Sequence, residues 1–298
     1  MNIIQAIILG IVQGLTEFIP VSSTAHLVFA TRLTGLSQTL DAEQLTAMIA
    51  VIQLGTLLAV LVYFAEDIWN ISLAFVRDHV LLLRGRTPPG VDGRGVLGSR
   101  LSVEAKLGWL IVIGSLPIGV LGLLFKRQIE GTFTKNLWVI ATMMVVVALL
   151  LAAAEKAGAK RRGMEQLGLG DALAVGFAQC LALIPGASRS GSTIMGGLFA
   201  GEKRETAARF SFLLSIPAVG ASGLLELKEA VHRLPPGNGV SLAVATAVSG
   251  VVGYASIWFL LRYLRTHSTA VFIGYRLVVG TLILALLALG LVQPLGGI

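Results

Sequence analysis

Cysteine is nearly absent: the 298-residue chain has one, Cys180, in an apolar setting. That excludes an intrachain disulfide and a zinc site built from thiolates. The four histidines, His26, His79, His232 and His267, show no metal-ligand spacing. Charge is also scarce. Asp, Glu, Lys and Arg make up 13% of the residues, about half the share of a soluble domain. The opening MNIIQAIILG has no Lys or Arg before its apolar run and no small-residue cleavage site after it, so it does not read as a signal peptide. What is abundant is apolar: 55% of the residues are hydrophobic, and they come in long runs. The pattern is that of an all-α polytopic membrane protein forming a single bundle. A net charge of +7 would suggest nucleic acid in a soluble protein. Here the basic residues sit in loops between apolar runs, so they read as orienting the chain in a membrane, and no nucleic-acid partner is expected.

Six runs approach the roughly twenty residues that cross a bilayer: 46–64, 107–125, 137–154, 210–227, 241–262 and 271–292. Two more apolar regions, 3–35 and 171–200, are broken by IPVSST and IPGASRSGST. Each half is too short to cross alone, and backbone broken at membrane depth needs protein or a water-filled cavity to satisfy it. The expected fold is therefore six transmembrane helices plus two re-entrant helical hairpins. FIPVSS aligns with LIPGAS, which pairs Ser23 with Ser188, and three spans follow each hairpin. The chain reads as two repeats, 1–154 and 171–298, joined by KAGAKRRGMEQLGLG. Three crossings is an odd number, so the second repeat is inverted, an arrangement that builds sites near the bilayer midplane. Loops at 65–106, 155–170, 201–209 and 263–270, with their flanks, carry most of the Lys and Arg, from Arg77 to Arg265, which places them on the cytoplasmic side. Hairpin 1 then enters from outside, hairpin 2 from the cytoplasm, and their polar tips meet inside the membrane.

In the first tip, Gln13 and Glu17 are four apart and share a helix face. Pro20 ends that helix, and Ser22, Ser23 and Thr24 can cap the next one. Its free N–H groups favour an anion, phosphate especially. His26 lies on the same side of the first turn as Ser23. In the second tip, Gly186 and Gly191 allow close backbone approach, Ser188 and Thr193 supply hydroxyls, and Arg189 supplies a planar fork suited to phosphate oxygens. An arginine near the bilayer centre calls for a partner, and Glu17 or a bound anion is the nearest candidate. Gln13 and Glu17 are oxygen ligands suited to a hard cation. Singly, each feature has a plainer reading. Ser22, Ser190 and Ser192 read as packing hydroxyls, His26 equally as a satisfied interior histidine, and Glu17–Arg189 as a structural ion pair. Two matching polar breaks expected to converge outweigh those readings. Arg276 is read as snorkelling or functional without a choice between them, and Gln53 as facing the cavity or, as the safer reading, making a helix–helix hydrogen bond. The segment 84–100, RGRTPPGVDGRGVLGSR, reads as a flexible loop.

The motifs QGLTEFIPVSSTAH and PGASRSGST resemble those of the undecaprenyl-diphosphate phosphatases of the bacitracin-resistance family. That family carries a (Glu/Gln)-x-x-x-Glu pattern followed by P-V-S-S-T-x-H, and a second P-G-x-S-R-S-x-x-T pattern. Both match in full and in order, so the resemblance covers essentially the whole chain. It implies an integral membrane enzyme that removes the terminal phosphate of undecaprenyl diphosphate, acting on the outer side of the cytoplasmic membrane. The product, undecaprenyl phosphate, carries peptidoglycan precursors, and extra enzyme confers bacitracin resistance. The resemblance also implies a divalent cation, Mg2+ or Ca2+, held by Glu17 and Gln13. By motif position, Glu17, Ser23, His26 and Arg189 are catalytic, and Ser188, Arg189 and Thr193 bind the substrate phosphate. This chain has Gln rather than Glu at the first position of the acidic pattern, so a metal would find one carboxylate there and not two. The rival reading is a transporter or lipid flippase, since inverted repeats with broken helices are a transporter architecture. A carboxylate beside a hydroxyl–imidazole pair favours hydrolysis. The oligomeric state is left open, a homodimer included.

Overall fold

The computed structural model describes residues 1–40, 42–89, 100–125, 136–233 and 239–294, with the backbone alone for Ala42 and 224–233. Of the segment 84–100, residues 90–99 lie outside the described residues, as do Arg94, Lys126, Arg127 and Lys135 among the loop charges.

The described residues form eleven α-helices. Helices α1 (Ile3–Phe18) and α2 (Ser23–Leu33) come first. They are followed by α3 (Ala42–Tyr63), α4 (Ala65–Leu83), α5 (Val103–Leu124) and α6 (Leu137–Ala157). A second short pair, α7 (Leu169–Cys180) and α8 (Arg189–Phe199), leads to α9 (Arg204–Arg233), α10 (Gly239–Leu264) and α11 (Ala270–Ala288). Among the described residues α3, α5, α6, α10 and α11 are long and apolar enough to cross a membrane. Helix α9 is 30 residues long and contains the expected run 210–227. By contrast α2 and α8 have 11 residues each, about 17 Å of rise against a hydrocarbon core of about 30 Å.

One expectation is corrected. Residues 65–83, read as loop, are the helix α4. Glu66, Asp67, Arg77 and Asp78 interrupt its apolar pattern, yet it packs on α5 through one face. Asp78, fully buried there, accepts from the backbone N of Ser102 at 2.8 Å and from Arg77 Nε at 2.9 Å.

Each short pair packs on the other half of the chain: α1 lies against α10, and α7 against α5. Glycines allow it. A Cβ at Gly10 would stand 2.6 Å from Ala245 O, one at Gly14 2.7 Å from Val252 Cβ, and one at Gly176 2.4 Å from Gly114 O. Backbones therefore touch along these seams, where small residues replace side-chain interdigitation. Between α3 and α10 an apolar groove of about 790 Å³ is lined by residues such as Val51, Leu58, Val62, Leu242 and Val251.

Behind the second pair, Arg162 holds Asp171 through two bonds of 2.5 and 2.6 Å and also donates to Gln166 O and Ala200 O. Glu202, in the turn before α9, is fully buried beside them, and neither of its carboxylate oxygens has a partner among the described residues. Burial, with the Asp171 charge adding to it and Arg162 opposing, pushes its pKa up to about 8. The folded state therefore keeps this proton through the window from the ordinary carboxylate value to about 8, while the unfolded chain loses it. Stability from this group is present below that window and is lost as pH rises through it. Glu202→Gln, which cannot ionise, is expected to match the parent near pH 5 and to melt roughly 5 °C higher at pH 9. Thermal midpoints of both proteins in detergent across that range check this, and a pH-independent difference would sink it.

Candidate active site

The two helix breaks meet. In tip 1, α1 ends at Phe18 and α2 begins at Ser23, with Ser22 as its N-cap accepting from Ala25 N at 3.5 Å. In tip 2, α7 runs into a short 3-10 turn, Leu181–Leu183, and α8 begins at Arg189, with Ser188 as its N-cap accepting from Gly191 N at 3.2 Å. Ser22 and Ser188 both hold left-handed backbone, φ 80° and 69°. Strain of that kind in a residue with a Cβ marks a position fixed by its surroundings. Ser22, and not Ser23, thus holds the place in tip 1 that Ser188 holds in tip 2. Aligning on the prolines slips the pairing by one, because tip 2 has one more residue between proline and cap. Ser23 and Arg189 then correspond, each the first residue of its return helix.

Both reach the same carboxylate. Arg189 Nη2 donates to Glu17 Oε1 at 2.9 Å, and Ser23 Oγ donates to Glu17 Oε2 at 3.0 Å. Gln13 Nε2 also donates to Oε2, at 3.0 Å, and Gln53 Nε2 from α3 to Oε1, at 3.3 Å. The glutamate is buried, and four donors from three parts of the chain converge on it. Arg189 keeps capacity in reserve: its Nε and Nη1 are buried and have no partner among the described residues. A buried guanidinium with idle donors is costly unless an acceptor arrives. Gln13 Oε1 is likewise buried and unpartnered.

His26 sits on the first turn of α2. Its Nδ1 lies 2.7 Å from Ser22 O and its Nε2 2.6 Å from the Tyr275 hydroxyl of α11. A carbonyl only accepts, so Nδ1 carries a proton and Nε2 of the neutral ring takes the tyrosine's. Neither nitrogen bonds Ser23, whose hydroxyl points to Glu17 instead. Thr193 lies on α8 but turns its hydroxyl back to Arg189 O at 2.8 Å and across to Ser211 Oγ of α9 at 2.5 Å. It braces α8 against α9. Ser188 Oγ is used as a cap and lies 3.2 Å from Ser190 Oγ.

Arg276 is not at a water-reaching helix end. It is fully buried and donates to backbone carbonyls of both tips and of α6. Gln53, Tyr275 and Arg276 are the parts of the site that the sequence did not assign, and of the three candidate caps Ser22, Ser23 and Thr24 it is Ser22 that takes the role. Gln53 and Arg276 each had a signal, a polar side chain inside an apolar run.

The oxygen donors suit a hard divalent cation in part. Gln13 Oε1 is an orphaned acceptor beside the Glu17 carboxylate, and Mg2+ commonly takes one or two such protein oxygens, completing its shell with phosphate and water. No group of three or more His, Cys, Asp and Glu able to hold a metal occurs among the described residues. Most ligands of such a cation would thus come from a phosphate substrate.

The sequence profile described as bacitracin resistance protein BacA matches residues 6–282. The chain is 50% identical over 280 residues to an undecaprenyl-diphosphatase of Syntrophobacter fumaroxidans, covering 94% of this chain and 95% of that one. It is 46% identical to an undecaprenyl-diphosphatase of Nocardia farcinica, covering 98% of each, and 47% identical to one of Mycolicibacterium smegmatis, covering 97% and 98%. Identity of this order, over nearly the whole of each chain and with both tip motifs inside the matched region, makes this protein a member of the bacitracin resistance protein BacA family.

Proposed function

We propose that this chain is an integral membrane phosphatase that hydrolyses undecaprenyl diphosphate to undecaprenyl phosphate and inorganic phosphate. It thereby recycles the lipid carrier of peptidoglycan synthesis and counters bacitracin. The observation that carries the reading is the shared carboxylate of Glu17, with the Ser23 hydroxyl on one oxygen and a half-used Arg189 on the other. Binding an anion needs the arginine. Cleaving it needs a hydroxyl with a base, and Glu17 supplies one.

The diphosphate draws the idle Nε and Nη1 donors of Arg189, and the helix starts at Ser23 and Arg189 add their N–H groups. Stabilising charge on the transferred phosphoryl group is the main work in this chemistry. As the phosphate takes up Arg189, Glu17 is released to accept the Ser23 proton. Ser23 Oγ then bonds the terminal phosphorus, and the bond from that phosphorus to the bridging oxygen breaks. His26 Nε2, after taking a proton from water, passes it to the leaving phosphate. Water then attacks the phosphoserine phosphorus, the bond from Ser23 Oγ to phosphorus breaks as inorganic phosphate departs, and Glu17 returns its proton to Ser23 Oγ. Ser188 and Thr193 act from behind, as cap and brace of α8. A divalent cation held by Gln13 and Glu17 would polarise the diphosphate oxygens. The apolar α3–α10 groove offers a lining for the prenyl chain.

We also infer the finer architecture: six spans, two re-entrant hairpins and an inverted repeat, set in the cytoplasmic membrane with the site opening outward. The reciprocal seating of α1 on α10 and α7 on α5 supports the repeat, and the loop charges support the orientation.

Phosphate release from undecaprenyl diphosphate by purified protein, with Mg2+ and with chelator, tests the function. No release from folded protein that still binds the lipid would overturn it. For the nucleophile, Ser23→Ala is expected to lower kcat at least about 100-fold, and acid-quenched parent enzyme to carry phosphoserine at residue 23. Full activity in Ser23→Ala would leave attack to water.

A further inference from the structure

Arg276 makes contacts unlike those of any other charged residue in the site. Its Nη1 donates to Pro20 O of tip 1 at 3.3 Å. Its Nη2 donates to Gly186 O and Ala187 O of tip 2, both at 3.0 Å. Nε and Nη2 also reach Met144 O and Met143 O of α6, at 3.2 and 3.3 Å. The first three carbonyls are those a helix break leaves without an intrahelical donor, and in a buried setting they need one. One side chain thus satisfies both breaks and fixes the distance between them. The guanidinium lies under the first turn of α8, where a Cβ on Gly191 would stand 3.4 Å from Nη1.

Its charge is the second point. Arg276 is fully buried and forms no ion pair among the described residues. Carbonyl dipoles satisfy its donors but do not cancel a full charge. Burying an uncompensated cation is expensive, so such a group persists where an anion is received. At the tips, Arg189 is answered by Glu17; Arg276 is answered by no carboxylate among the described residues. Together with two helix N-termini, it leaves the site with an excess of positive charge.

We propose that Arg276 is a positioning residue of this site, clasping the two tips so that Ser23 and Arg189 reach one carboxylate, while its uncancelled charge strengthens binding of the diphosphate. This rests on the phosphatase reading for what the site does with the anion.

The test uses full-length protein in detergent, as Arg276→Lys and Arg276→Gln. Inorganic pyrophosphate is titrated calorimetrically, kcat is measured on undecaprenyl diphosphate, and thermal midpoints establish folding. Lysine keeps the charge but cannot span both tips. It is expected to bind pyrophosphate within about threefold of the parent while kcat falls at least about tenfold. Glutamine loses the charge, so its pyrophosphate Kd is expected to rise at least about tenfold as well. Folded Arg276→Gln with parental Kd overturns the electrostatic role, and Arg276→Lys with parental kcat overturns the clasp. If the glutamine variant does not fold, the lysine variant decides: parental kcat or a Kd raised tenfold each contradicts the proposal. A parent that binds pyrophosphate but releases no phosphate from the lipid refutes the phosphatase reading and leaves the binding arm for Arg276 intact.

Discussion

Purified Glu17→Gln protein is expected to release phosphate from undecaprenyl diphosphate about 1000-fold more slowly than the parent, the range for losing a positioned acid–base group. The substitution keeps the shape and removes what the site depends on. Ser23, Gln13, Gln53 and Arg189 all present donors to Glu17. A glutamine offers one carbonyl oxygen, and its NH2 faces donors where an acceptor stood. At least one donor pair is then opposed rather than bonded, and the Arg189 charge loses its counter-ion. The side chain also can no longer take a proton from Ser23. Release rates at saturating lipid and Mg2+, with a thermal midpoint to establish folding, check the prediction. Parental kcat would mean that Glu17 serves only as a structural ion-pair partner.

The second large effect is expected at Gly186. Its φ of +89° lies where a Cβ is disfavoured, and that Cβ would stand 2.1 Å from Ile140 O and 2.7 Å from Ile140 Cα. The backbone has nowhere to retreat, because its own carbonyl and that of Ala187 are held by Arg276. Gly35 supplies the control. It has φ +72° and nothing within 4 Å of an added Cβ, so Gly35→Ala carries backbone strain alone, roughly 1–2 kcal/mol. Gly186→Ala adds a collision with α6 to that strain. It is expected to lower the thermal midpoint by roughly 10 °C or more and phosphate release at least about 100-fold, since a shift near 1 Å displaces Arg189 from Glu17. Gly35→Ala is expected to lose a few degrees and keep its rate. Equal behaviour of the two variants would show that tip 2 does not depend on its close approach to α6.

Much of this protein could be read from its sequence, for a physical reason. Membrane helices announce themselves by unbroken apolar runs, and α3, α5, α6, α10 and α11 fall where those runs lie. The tips could be read because polar clusters in such runs are costly and need a purpose. Helix α4 could not, since Glu66, Asp67 and Arg77 mask a face whose burial is confined to residues such as Ala74 and Asp78. Rotation and depth were the other blind spots. Thr193 sits in the right motif, but its place on the helix turns the hydroxyl to Ser211. Arg276 lies early enough in its helix to suggest escape to water, and only the path of the two breaks shows that Pro20, Gly186 and Ala187 are there instead.

The seating of α1 on α10 imposes an order on synthesis. Gly10 and Gly14 precede their contacts at Ala245 and Val252 by more than two hundred residues. At translation rates of about 5–20 residues per second, the first hairpin waits on the order of ten to fifty seconds for the surface it will rest on. Arg189 is made within that interval and can reach Glu17, but Pro20 still has no Arg276 when the interval closes. Completion of the catalytic pocket is thus among the last events in the making of this enzyme, and a nascent chain interrupted before α11 holds Glu17 and Arg189 without the arginine that clasps the two tips.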